Sequence, residues 1–403
     1  MNQVASNHKQ EEIERYESYI KFDPNNTLLW IQLGDLYHEA GKLDEAVACF
    51  EKCLIFEEHN EIAKSRLANV LVTQHRFGEA EKTLSALLEQ HPDDPALLHN
   101  YGLALFYQTN FKDAQQIFEK ARLAGSDSPQ TLAYIVFSLH KQTETEKALE
   151  VAQQWLEESP GPMTEGYVSM LEMDNGDMEQ AKTRAEAVLR NDPNNPDANV
   201  VLGNWSVEQH SIDQAIPHFK AAIEAEPDNP RGWQGLGLTH LYRQENDEAI
   251  AAIEKALELM PGYAVNHLII GWAKLAKQDA IGAEAAFRKS IECNRGYGEG
   301  HGGLAAALVL QNRLEEGRKQ IKRALGLDPT SFGAIFAQSV TMTLKGKEEQ
   351  GTKLLSKALM QQPVDRSKPV IEHIQEYLKN QGHNSTKPPA GGKSGASKQG
   401  PSR

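Results

Sequence analysis

The stretch GYGEGHGG (296–303) holds the spacing in this sequence that best imitates a cofactor site: Gly298, Gly300 and Gly303 satisfy GxGxxG. A dinucleotide fingerprint requires a strand before the glycines and a helix after them. Here the preceding residues have helical spacing, so the expectation is a loose turn between helices, with a bend. His267 and His301, 34 residues apart, form a second candidate. Neither belongs to an HExxH motif, neither has a cysteine partner, and two imidazoles do not make a metal site. They read as packing histidines. Cys49, Cys53 and Cys293 form neither a CxxC pair nor a disulfide framework. They read as small packing residues in a reducing compartment. The sequence has no GxSxG, no P-loop and no cysteine–histidine arrangement, and spacing alone pairs no carboxylates as acid and base. No catalytic, cofactor-binding or metal-binding residue is assigned, no cofactor is expected, and the chain reads as a non-enzyme.

Composition narrows the class further. The 403 residues are 40% hydrophobic and 24% charged, with a net charge of −14. That is ample apolar material for a core, and the charge favours solubility. The last twenty residues carry Lys387, Lys393, Lys398 and Arg403 and no acid, leaving −18 on the remainder. Such a body repels phosphate, so nucleic acid is not an expected partner. No run approaches 18 uninterrupted apolar residues, so no membrane span is expected. The N-terminal residues lack the apolar core of a secretory signal, and the expected location is cytoplasmic.

The elements that position these residues repeat. Leu236, Gly237, Ala249, Ala256 and Pro261 have counterparts 34 residues earlier in Leu202, Gly203, Ala215, Ala222 and Pro227. Units begin at Thr27, Glu61, Pro95, Pro129, Pro162, Pro196, Pro230, Ala264, Gly298 and Phe332, every step being 34 except the 33 into Pro162. Within a unit, apolar residues fall three and four apart in two runs separated by a short polar turn, which predicts two amphipathic helices. Gly237 and Ala249 are small where those helices should cross, and proline should close the second helix. One helix pair cannot bury its apolar face alone, so neighbours must stack.

This pattern resembles the tetratricopeptide repeat family over residues 27–365. The resemblance implies an all-α fold: a right-handed superhelical solenoid of about ten tandem helix-turn-helix units with helical caps. The expected organisation is an N-terminal segment with a capping helix (1–26), the solenoid (27–365), a C-terminal capping helix (366–383) and a disordered tail (384–403). Ser169 and Glu172 depart from the pattern, where glycine and an aromatic residue or leucine are usual.

The family's first helices line a concave surface that binds segments of other proteins. Mapped onto this sequence, its groove places are mostly polar in the first two units, with Gln32, Asp35, His38, Arg66 and Asn69. They then become aromatic and sulfur-rich: His99 and Asn100, then Tyr134, Phe137 and His140, then Tyr167, Met170 and Met173. A second station holds Arg231, Gln234 and Tyr242, followed by Ile269, Trp272 and Leu275. Such a wall suits an apolar or mixed peptide. Leu103, Phe106 and Leu275 serve equally well as packing between repeats. A subset of the family clamps acidic chaperone tails with lysine, arginine and two asparagines. Asn69 and Asn100 match the asparagines, but Ser65, Gln130 and Tyr134 stand at the cationic places, so that ligand is disfavoured.

The sequence therefore reads as a non-catalytic scaffold or adaptor that docks partner segments in the concave groove. An assembly or secretion chaperone for one client is the nearest alternative, and a regulatory subunit of a separate catalytic chain is another. Self-association through ends or grooves is compatible with each.

Overall fold

The computed structural model describes residues 2–361, and every regular element among them is an α-helix. The chain divides into two compact units, Met1–Val201 and Leu202–Arg403. The expected C-terminal capping helix and tail lie outside the described residues, as does Pro363.

In the first unit α1 (Asn2–Phe22) precedes the pairs α2 (Thr27–Glu39) and α3 (Leu43–Phe56), α4 (Glu61–Thr73) and α5 (Phe77–Leu88), and α6 (Pro95–Tyr107) and α7 (Phe111–Leu123). It continues with α8 (Pro129–Lys141) and α9 (Thr145–Glu158), then α10 (Pro162–Asp174) and α11 (Met178–Asn191). The division between units falls inside α12 (Pro196–Glu208), whose pair is α13 (Ile212–Ala225). The second unit then holds α14 (Pro230–Tyr242) with α15 (Asn246–Leu259), and α16 (Ala264–Ala276) with α17 (Ala280–Cys293). It ends with α18 (Gly298–Leu310) and α19 (Leu314–Leu327), then α20 (Phe332–Leu344) and α21 (Glu348–Gln361).

The ten first helices thus start on the residues from which the repeats were counted. Local chemistry marks those starts. Asn26, Asn60, Asp94, Asn195, Asn229 and Ser331 accept backbone N–H bonds as N-caps. Proline follows the cap in five of the ten helices, where its missing N–H has no partner to lose. Second helices stop before the proline places whether or not proline is present: Phe56 precedes Glu58, and Cys293 precedes Arg295.

Side-chain size sets the crossing within each pair. Phe50, Phe118, Phe219 and Phe287 are fully buried. They sit so close to Gly34, Gly102, Gly203 and Gly271 that a Cβ there would lie 2.4–2.6 Å from the ring. Gly237 makes the same room for Ile253, and Ala249 is fully buried beside it.

The turn within every pair is three residues long and ends the first helix the same way. Its middle residue is left-handed in all ten repeats, yet only Gly41, Gly176 and Gly346 are glycines. His75, Thr109, Thr143, His210, Gln244, Gln278 and Asn312 take φ of 60–64°. A Schellman pair holds each turn, as where Thr143 N–H donates to His140 O at 2.9 Å and Glu144 N–H to Leu139 O at 3.0 Å. Connections between pairs vary from three residues (159–161) to six (89–94).

A left-handed L-residue costs about 1–2 kcal/mol, and a β-branched one is the least tolerant. Glycine returns about 0.5–1 kcal/mol of that through the unfolded chain. Thr143→Gly is therefore expected to stabilise by about 0.5–1 kcal/mol, raising the urea midpoint with unchanged slope. A lower midpoint would show that the turn stores no such strain.

A recurring bond explains the polar residues at the fourth place of a unit. The indole N–H of Trp30 donates to Pro24 O and that of Trp233 to Pro227 O, both at 2.8 Å. Asn199 Nδ2 reaches Pro193 O at 3.0 Å, and His301 Nε2 lies 3.3 Å from Arg295 O. His267 is hydrogen-bonded to the backbone of Pro261. The two histidines thus secure the turn between repeats in place of tryptophan.

The GxGxxG glycines form no loose turn. They occupy the first two turns of α18, where Gly303 clears the Phe287 ring and Gly298 clears Asp328. Gly302 meets Gly333 of α20 backbone to backbone: a Cβ on Gly333 would lie 2.6 Å from the Gly302 carbonyl carbon.

Candidate functional site

In the first unit, α6, α8 and α10 carry a continuous set of rings. Tyr134 packs edge-on against Phe106 (centroids 5.2 Å apart) and against Phe137 (5.6 Å). Phe137 meets Tyr167 at 4.6 Å. Beneath them lie two buried rings from second helices: Phe118 stacks on Tyr134 at 5.3 Å, and Trp155 meets Phe137 at 5.6 Å and Tyr167 at 6.0 Å. Each such pair adds about 0.5–1.5 kcal/mol beyond the area it buries. Tyr134, Phe137 and Tyr167 are therefore half-buried, each with one side in the core.

The polar atoms of the wall are largely paired with one another. Tyr107 and Tyr134 share a hydroxyl bond of 2.8 Å. Burial, followed by that bond, pushes the Tyr134 phenol well above its usual range. His140 bridges Tyr167 Oη (2.8 Å, from Nδ1) and Asp174 Oδ2 (2.7 Å, from Nε2). His99 Nδ1 lies 2.9 Å from Thr131 Oγ1, and burial lowers its pKa, which keeps the imidazole neutral. Asn100 and Met173 are half-buried on the same helices, and Tyr107 is 47% exposed.

Met170 is a correction. Expected on the groove, it is 5% exposed: its unbranched thioether is taken into the core and offers no surface to a ligand. Phe77 was not singled out, yet it stacks on Tyr107 at 4.8 Å. Its place opens the second helix and holds Phe111 one repeat later, so the repeat itself carried that signal.

The second station is less coherent. Arg231, Gln234 and Tyr242 are half-buried on α14. Trp272 on α16 instead joins a ring cluster with Phe287, Phe332 and Phe336 at 5.6–5.9 Å. Ile269 and Leu275 are 3% and 9% exposed and belong to the core.

Glu172 and Ser169 are also accounted for. Ser169 Oγ donates to Gly166 O at 2.6 Å. The Glu172 side chain, 2% exposed, receives Arg184 through Nε at 3.0 Å and Nη2 at 2.9 Å, and Gln180 at 2.7 Å. Glu165 takes the third Arg184 nitrogen. This is an ion cluster that joins α10 to α11. Among the described residues no group of three or more histidine, cysteine or carboxylate side chains could hold a metal. Cys49 and Cys53 are buried, and burial pushes the Cys49 thiol up to about 12, which leaves it inert.

Helix pairs in fixed register, glycine-to-phenylalanine crossings and a ring-lined face define a tandem-repeat protein of the kind that presents a surface to other molecules. Tetratricopeptide repeat models match residues 42–100, 172–236 and 206–269, and a second such model matches 16–48. The chain belongs to the tetratricopeptide repeat family. Its fold is shared with the Cut9–Hcn1 hetero-tetramer of the APC/C (TM-score 0.57, 14% identity, 92% of this chain and 81% of that one). It is shared equally with the human IFIT1 dimer carrying m7Gppp-AAAA (TM-score 0.53, 15% identity, 90% and 91%). No curated protein matches the sequence. No helix among the described residues is long and apolar enough to cross a membrane.

Proposed function

We propose that the protein is a non-catalytic scaffold that docks apolar or mixed peptide segments of other proteins against residues 99–173 of its first unit. One observation carries the reading: on α6, α8 and α10 the family's groove places hold a run of half-buried rings. Lys141 and Asp174 are the only charged side chains among those places. In a chain with 24% charged residues, so little charge beside so many rings favours a ligand that buries apolar surface. The RNA in the IFIT1 structures belongs to that protein, and the net charge of −14 here argues against a nucleic-acid partner.

Because Tyr134, Phe137 and Tyr167 also pack on Phe118 and Trp155, charged substitutions there would disturb the fold together with the surface. The informative variant is Asn100→Ala/Tyr107→Ala/Met173→Ala, which leaves the underlying rings in place. Partners captured from an extract by the parent chain should be lost or weakened at least tenfold with this variant, at equal helicity by circular dichroism. Identical capture by both would remove the wall from the binding surface. Several partners on one molecule fit a scaffold, one aggregation-prone client fits a chaperone, and a copurifying activity fits a regulatory subunit.

A further inference from the structure

The first unit carries a second surface, independent of the aromatic wall. Phe22 closes α1 and Phe56 closes α3, at the same place in successive repeats. Leu28 and Ile62 share the second place of α2 and α4. All four are exposed, Phe22 at 87%, Leu28 at 67%, Ile62 at 57% and Phe56 at 44%, and Ile55 adds 69%. The turns that bear them are tied together, because Thr27 Oγ1 donates to Glu57 Oε1 at 2.8 Å. The result is an apolar strip along two consecutive turns joined by that bond.

The charge around the strip has a sign. Over residues 18–28 and 51–64, Asp23, Glu51, Glu57, Glu58 and Glu61 stand against Lys21, Lys52 and Lys64. Glu61 pairs with His91, and among the described residues Asp23, Glu57 and Glu58 form no ion pair. Hydrogen bonds from Asn60 and Thr27 hold the Glu57 carboxyl below its usual range, so it stays ionised.

We propose that the edge made by the 23–27 and 57–61 turns docks a basic amphipathic helix of a partner protein. Its apolar face would cover Phe22, Leu28, Ile55 and Ile62, and its lysines or arginines would meet Asp23, Glu57 and Glu58. An anionic lipid surface would be repelled by the same carboxylates, which is why a protein segment is the occupant.

The test uses the full chain and two labelled 18-residue helical peptides, one of leucine and lysine and one of leucine and glutamate at the same spacing. Fluorescence anisotropy should show the lysine peptide binding, at least tenfold weaker in high salt. Phe22→Ser/Leu28→Ser/Ile55→Ser should weaken it at least tenfold, whereas Ile281→Ser, at an exposed site in the other unit, should not. Hydrogen exchange should protect residues 19–28 and 55–62 on binding. Equal binding to parent and triple variant would overturn the proposal. So would equal binding of the two peptides, self-association abolished by the triple variant, or cosedimentation with phosphatidylcholine vesicles through the strip. The aromatic-wall variant should leave this binding intact, so the two readings fail separately.

Discussion

Arg184→Ala is expected to destabilise the first unit by about 3–5 kcal/mol, because it strands the Glu172 carboxylate, 2% exposed, without its counter-ion. The size of the effect comes from that stranded charge, and the net worth of the intact pair is smaller. Dehydrating two ions consumes most of what their attraction returns, so removing both is a different experiment from removing one. Glu172→Leu restores the leucine usual in this repeat, and Arg184→Met supplies an apolar stem of similar reach. The double variant should match the parent within about 1 kcal/mol or exceed it. Urea unfolding read by hydrogen exchange in α10 and α11 separates the cases, since repeat arrays need not unfold in one step. A mild Arg184→Ala would mean that water reaches Glu172.

The second large effect is expected at Gly333. A Cβ there lies 2.6 Å from the Gly302 carbonyl carbon and 2.7 Å from the Gly303 nitrogen, and no side-chain rotation can relieve a clash between backbones. Gly333→Ala should force α18 and α20 apart, at about 3 kcal/mol, near the upper end of ordinary overpacking. The expected signature is early loss of amide protection in α18 and α20. Gly326→Ala is the control. It lies in α19 with nothing within 4 Å of its Cβ position, and it should stabilise by about 0.5–1 kcal/mol. If both substitutions behaved alike, the Gly302–Gly333 contact would carry no weight.

Much of this architecture is written in residue type. Caps such as Asn229 ahead of Pro230 announce where first helices begin, and Gly34 opposite Phe50 announces where a pair crosses. Other features are not written there. Nothing about His75 or Thr109 predicts a left-handed backbone, because the Schellman bonds and the packing of two helices impose it against local preference. Glycines 298–303 look like a turn from composition alone, and only their neighbours Phe287 and Gly333 reveal a packed helix. The candidate wall was half legible. Periodicity placed Tyr134, Phe137 and Tyr167 on one face, but not their second commitment to Phe118 and Trp155. That double duty cannot be read from a helix considered alone. It also could not foresee that Met170, one turn from Tyr167, is drawn inward.

The two kinds of turn carry a mechanical consequence. Ten identical three-residue turns within pairs make each pair a unit of fixed geometry, tolerant of chemistry but not of length. The single missing residue of the 33-residue repeat is absorbed at 159–161, between pairs. Changes in chain length are therefore taken up at one kind of joint and refused at the other. Insertions can accumulate between pairs without retuning the helices on either side, and that is where such an array can be re-aimed.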